Sequence, residues 1–370
     1  MSTIHRLAAA GIVTAALIIS RGASADEAPR FEVDALWPKP LPNNWILGQV
    51  AGIAVDAADH IWIIQRPRTL SEDEKGATLT PPRSQCCEPA PPVIEFDRDG
   101  TVLQAWGGPG ANYQWPANEH GIRLDPNGFV WLGGNAPEDG MILKFTREGK
   151  FVMQIGKAGP SKGDNDQTQL GRPADVWVDQ GEAYVADGYG NHRVIVFDAQ
   201  TGAYKRHWGA YGKRPDDEPA KPTAYNPAAP PSPTFGNPVH CVKVANDGLV
   251  YVCDRTNNRI QVFHRDGSFV QEFIQKKQTR VGGSAWDFYL WPDRTQTYFV
   301  VADGENNEVR VARRQDGEVV GAFGRSGRNA GFFHWVHNIA VDSQGNVFTA
   351  EVDNAKRIQK FRPVNGAPEK

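Results

Sequence analysis

Short runs in which apolar and polar residues alternate recur along the whole chain, each ending at a turn built from Asn, Asp and Gly. The clearest copy spans His240 to Ile274 and reads HCVKV, ANDG, LVYVCD, RTNN, RIQVF, HRDG, SFVQEFI. Period-two alternation over four to six residues predicts half-buried strands, and the Asx-Gly turns supply the positive φ that tight hairpins need. The copy therefore predicts a four-stranded antiparallel meander. The same pattern starts again at Ala51, His120, Ala174, His240, Trp286 and His337. Those starts lie 46 to 69 residues apart, so a unit of about 45 residues carries inserted loops of varying length. Six such units predict an all-β, six-bladed β-propeller. The sixth copy stops after its third strand, RIQKF (Arg357 to Phe361), while a strand-like run, FEVDALW (Phe31 to Trp37), precedes the first. An N-terminal strand that fills the missing place would close the ring and cover an edge.

Composition narrows the class. The chain has 370 residues, 38 glycines, 27 prolines, 22% charged residues and a net charge of −3, which excludes a disordered protein and a nucleic-acid binder led by bulk positive charge. Arg6, the apolar run Leu7 to Ser20 and the small-x-small motif Ala23-Ser24-Ala25 predict an export signal over residues 1–25, with an uncleaved anchor as the alternative. Residues 26–370 are then one propeller domain, secreted or periplasmic, with no membrane span and no need of a partner subunit. An oxidising compartment allows a Cys241–Cys253 disulfide across the Asn246–Gly248 turn, with two packed thiols as the alternative. The adjacent Cys86 and Cys87 can form a vicinal disulfide or bind a soft metal.

In a propeller the first strand of each blade lines the central channel, and the fourth-to-first and second-to-third connections share one face. The tight turns Asp97–Gly100, Asp125–Gly128, Asn246–Gly248 and Arg265–Gly267 fall on the other face. The site face receives the two long irregular segments, Pro67 to Pro92 and Tyr211 to Pro238, and long rim loops are where binding function concentrates.

The first position of the innermost strand is histidine in blades two, four and six: His120, His240 and His337. Alternate blades of a six-fold ring are a third of a turn apart, so the three imidazoles converge on the axis. Three nitrogens with an open fourth position suit a divalent metal, zinc best. Three unrelated channel histidines bonded to water are the alternative. His60, His192, His207, His264 and His334 share no repeat position and read as structural or surface residues. Arg66, Tyr189 and Arg255 follow second strands on the same face. Two guanidinium forks beside a cation imply a small anionic or peptide-derived substrate, and the tyrosine offers a general base.

The motifs GQVAGIAVD with Arg66 downstream, EHGIRLD, VADGYGNHR, PVHCVKV, CDRTNNRIQVF and VHNIAVD resemble the peptidyl-α-hydroxyglycine α-amidating lyase family of NHL-repeat propellers. The resemblance implies that His120, His240 and His337 bind zinc and that Arg66, Tyr189 and Arg255 are catalytic. The implied reaction cleaves the N–C bond of a peptidyl-α-hydroxyglycine to an amide and glyoxylate. It also implies a structural calcium, held by the carbonyls of Ile53 and Ile122 and by Asn338, which stands in the family's aspartate position. Trp335 replaces a methionine beside the metal, and Gly190 replaces a cysteine. Two other functions compete: a metal-dependent, lactone-opening propeller hydrolase, and a non-catalytic exported NHL scaffold.

Overall fold

The computed structural model describes residues 28–217, 224–366 and 368; the expected export signal lies outside the described residues. Six four-stranded antiparallel sheets form a six-bladed propeller, with one short parallel pair, Trp45–Ile46 beside Glu88–Pro89. The inner strands are Gln49–Val55, Glu119–Leu124, Asp175–Asp179, Val239–Val244, Asp287–Leu290 and Val336–Val341. Each leads a sheet whose strands follow in chain order, except in blade six. There the order from the outside is Phe31–Val33, Arg357–Pro363, Val347–Glu351, Val336–Val341, with Phe31 opposite Pro363. No helix among the described residues is long and apolar enough to cross a membrane.

Burial explains the strand sequences. Second strands such as Ile61–Arg66 and Val250–Asp254 are buried along their whole length, whereas fourth strands such as Phe151–Gly156 alternate exposed and half-buried. The core is divided among the seams between blades: Trp62, Ile64 and Val93 of blade one pack on Ile122, Leu132 and Leu143 of blade two. At the hairpin Asp125–Phe129, Asp125 Oδ1 accepts from the backbone N–H of Asn127 and Phe129, and Gly128 takes φ +84°.

Four blades repeat an ion pair between the last residue of the second strand and an arginine of the third, buried in three of them and partly exposed at Arg357. The pairs are Arg193–Asp187 (2.9 Å), Arg259–Asp254 (2.8 Å), Arg310–Asp303 and Arg357–Glu351 (2.8 Å). Each guanidinium also donates to carbonyls of the loop entering its blade: Asp164 and Gln169, Thr234, Ser284, and Phe332 respectively. The connections on the site face are thereby fixed at their roots.

Both cysteine pairs are disulfides. Cys241 lies directly opposite Cys253 on adjacent strands with Cα atoms 4.9 Å apart, and Cys86 is bonded to Cys87 within the exposed part of the Pro67–Pro92 insertion.

Candidate metal centre and active site

The inner strands are irregular where the channel chemistry begins. Pairing slips between Val50 and Gly52, His120 and Ile122, Val239 and Cys241, and Val336 and Asn338. A bulge re-aims a side chain that a regular strand would send to the other face. The bulges turn the three histidines toward the axis, where their ring centroids lie 4.8–5.1 Å apart. One nitrogen from each falls within 4.8 Å of the others.

The other ring nitrogen of each histidine meets a backbone carbonyl of the next blade. His120 Nδ1 is 2.7 Å from Ala174 O, His337 Nδ1 is 2.8 Å from Ala51 O, and His240 Nδ1 contacts Trp286 O. A carbonyl only accepts, so Nδ1 carries the proton and Nε2 presents its lone pair to the axis. Burial is the largest cause of a lowered pKa at all three, to about 3 at His120, with the nearby guanidiniums adding to it. Neutral imidazoles with fixed tautomers and converging lone pairs are the form that ligates a metal.

Above the tripod stands Tyr189, whose Oη lies 3.1 Å from His120 Nε2 and 3.0 Å from His240 Nε2, while Arg255 Nη1 donates to it at 3.3 Å. Arg66 is buried and held rigidly, Nε to Glu119 O (2.8 Å) and Nη1 to Gln49 Oε1 (2.9 Å); burial lowers it to about 10, so it is a cation at neutral pH. Arg255 lies over the Trp286 ring at 4.4 Å, and Trp335 meets Trp286 edge-on at 5.6 Å. The three histidines contact one another, Tyr189 contacts His120 and His240, and Arg255 contacts Tyr189. Arg66 reaches them through charge rather than through a hydrogen bond.

Sequence reasoning missed the residues that hold these in place. Asn237, at the end of the proline-rich insertion, donates to Tyr189 O at 2.8 Å, and Arg172 lies 5.8 Å from the Tyr189 ring. Arg68, in the first insertion, pairs with Glu119, and Lys356 ties the same insertion to blade six through Thr69 O and Glu74. Neither set carries a repeat signature, because both arise where an inserted loop folds back on the ring.

The residues offered for calcium fit that ion poorly. Asn338 Oδ1 already accepts from Ile53 N at 2.8 Å. The equivalent positions of blades three and five hold Asp175 and Asp287, which accept from Val242 N and Ile339 N in the same manner. Between these carboxylates lies the ammonium of Lys243, 2.6 Å from Asp175 and 2.9 Å from Asp287. This layer already holds a cation of its own, and its one uncharged donor is engaged.

The NHL repeat profile matches residues 170–197 and 239–263, which cover the Tyr189 loop and the His240 and Arg255 strands. The chain carries NHL repeats over those residues of its six-bladed propeller. The propeller is 28% identical over 346 residues to peptidyl-alpha-hydroxyglycine alpha-amidating lyase 1 of Drosophila melanogaster, covering 88% of this chain and 58% of that protein. It thus spans little more than half the length of that relative. It is 27% identical over 355 residues to NHL repeat-containing protein 3 of Mus musculus, covering 91% of this chain and 85% of that one. A streptogramin B lyase structure shares the fold at TM-score 0.53 and 14% identity, over 91% of this chain and 98% of its own.

Proposed function

We propose that the protein is an exported, zinc-dependent lyase that cleaves the N–C bond of an α-hydroxyglycine-type carbinolamide to an amide and glyoxylate. One observation carries this reading: three Nε2 lone pairs of fixed tautomer converge beneath a tyrosine hydroxyl that an arginine also contacts. The likeness to an amidating lyase over 88% of the chain supports it.

His120, His240 and His337 would hold the zinc ion, whose chemistry there would be that of a Lewis acid toward the substrate hydroxyl. Arg66 and Arg255 bind the substrate carboxylate and so fix the carbinol carbon over the tripod. Tyr189 Oη takes the hydroxyl proton as the general base; the oxygen's electron pair forms the aldehyde C=O as the C–N bond breaks. The departing nitrogen keeps the electron pair of the broken C–N bond and takes the proton back from Tyr189 Oη, giving the amide. The arginines stay charged throughout and hold glyoxylate after cleavage.

A second reading, a non-catalytic exported scaffold, is favoured by the likeness to NHL repeat-containing protein 3 over 85% of that protein. Elemental analysis and glyoxylate release from α-hydroxyhippurate decide between them. One zinc per chain with turnover, both lost in the triple His120, His240, His337→Ala variant, supports the lyase. Zinc-free protein, or turnover that survives in that variant, refutes it.

A further inference from the structure

Three residues beyond the tripod level, the inner strands carry Ala54, Arg123, Trp177, Lys243, Tyr289 and Ala340. Four of these meet near the axis. The Trp177 and Tyr289 rings lie 6.2 Å apart, Arg123 Cζ is 4.2 Å from Trp177 and 5.7 Å from Tyr289, and Lys243 Nζ is 5.8 Å from Trp177. Lys243 is satisfied by Asp175 and Asp287, and this triad separates the lower channel from the histidines.

Arg123 has no such partner. It is only 5% exposed, its Nε is buried without an acceptor, and among the described residues no hydrogen bond or ion pair reaches its guanidinium. Asp125, two residues on in the chain, accepts from Asn127 N, Phe129 N and Trp131 Nε1, and Asp179, two residues beyond Trp177, pairs with Arg265. Trp177 Nε1 and Tyr289 Oη likewise donate to nothing among the described residues. The pocket therefore gathers donors and one positive charge with no acceptor, inside aromatic walls. A buried charge is retained when something pairs it.

We infer that the lower channel mouth is an anion site, separate from the metal centre, that takes the carboxylate group of a small organic acid. With Arg123 Cζ over the Trp177 ring, the terminal N–H groups of the guanidinium are the donors for two carboxylate oxygens, and the rings would take an apolar tail. Tyr289 Oη is placed to add a third donor.

The test is urea denaturation of the full-length protein with acetate, and separately chloride, added at constant ionic strength. Acetate is expected to stabilise wild type saturably, with Arg123→Met weakening its apparent binding at least about tenfold and His240→Ala leaving it unchanged. Should Arg123→Met fail to fold, Tyr289→Phe is expected to weaken acetate binding about threefold. No saturable acetate effect in wild type overturns the site, as does unchanged acetate binding in Arg123→Met or, in its place, Tyr289→Phe. Loss of the effect in His240→Ala overturns its separateness, and chloride acting as strongly as acetate overturns the carboxylate assignment.

Discussion

Replacing His240 with alanine tests the metal centre most directly. His240 is buried, and its ring centroid lies 5.1 Å from that of His120 and 4.9 Å from that of His337. The substitution removes one of three ligands, and also the Nδ1 bond to Trp286 O and the contact with the Trp286 ring. Metal-free stability therefore falls for reasons unrelated to zinc, so the informative quantity is the increment that zinc adds to each protein. With free zinc buffered at a thousand times the wild-type Kd, that increment is about 4.1 kcal/mol. Disturbing the partner of a metal ligand weakens binding ten- to a hundredfold, and deleting the ligand weakens it at least as much. At a hundredfold loss the same free zinc is ten times Kd, and the increment falls to about 1.4 kcal/mol. Guanidinium denaturation with and without buffered zinc measures both values. His334→Ala is the control, because His334 bonds Asp353 at 2.8 Å, outside the tripod, and should keep the full increment. An increment of about 4 kcal/mol surviving in His240→Ala, or none in wild type, would falsify the tripod as a metal site.

Tyr189→Phe should leave zinc content unchanged and lower kcat by about 10²- to 10⁴-fold, the usual worth of a positioned general base; unchanged kcat removes Tyr189 from the chemistry. Asp187→Ala leaves the buried Arg193 without its carboxylate and should cost about 3–5 kcal/mol by denaturant unfolding, and a loss below about 1 kcal/mol would show the pair to be structurally idle. Trp335, 41% exposed at φ +53°, should be dispensable for folding; Trp335→Ala is expected to raise KM for bulky N-acyl substrates with zinc content intact, and an unchanged KM refutes a role in the pocket wall. The bidentate pairing with Arg206, helped by Lys205 and Tyr184, holds Glu182 down to about 2. Its contribution is complete above pH 4.5 and lost as pH falls toward 2, so Glu182→Gln should flatten that acid limb of stability against pH, and an identical limb refutes the assignment.

The propeller was legible because each blade repeats both the two-residue strand period and its Asx-Gly turns, and the histidines were legible because they share one repeat position. What no pattern announces is contact between distant segments. Asn237 reaches Tyr189 across 48 residues, and Arg66 is seated by Glu119 and Gln49. The bulges were also hidden, since an extra residue in a short strand leaves its alternation looking intact. The fate of Asn338 required the neighbouring strand: only the close approach of Ile53 N shows its oxygen to be engaged. Lys243 carries no signature in the sequence either: only the ring sets it between two carboxylates contributed by other blades.

Each histidine of the tripod leans on a carbonyl of the blade that follows it: Ala174, Trp286 and Ala51, the same repeat position in the blades that bear no histidine. The odd blades are thus half of the site although they contribute no ligand. The centre has the threefold symmetry of a two-blade unit, one blade supplying an imidazole and its neighbour the acceptor that orients it. Deleting or duplicating a single blade would break the alternation, putting two ligand blades or two acceptor blades side by side. The smallest heritable change in ring size that keeps every ligand oriented is therefore a pair of blades.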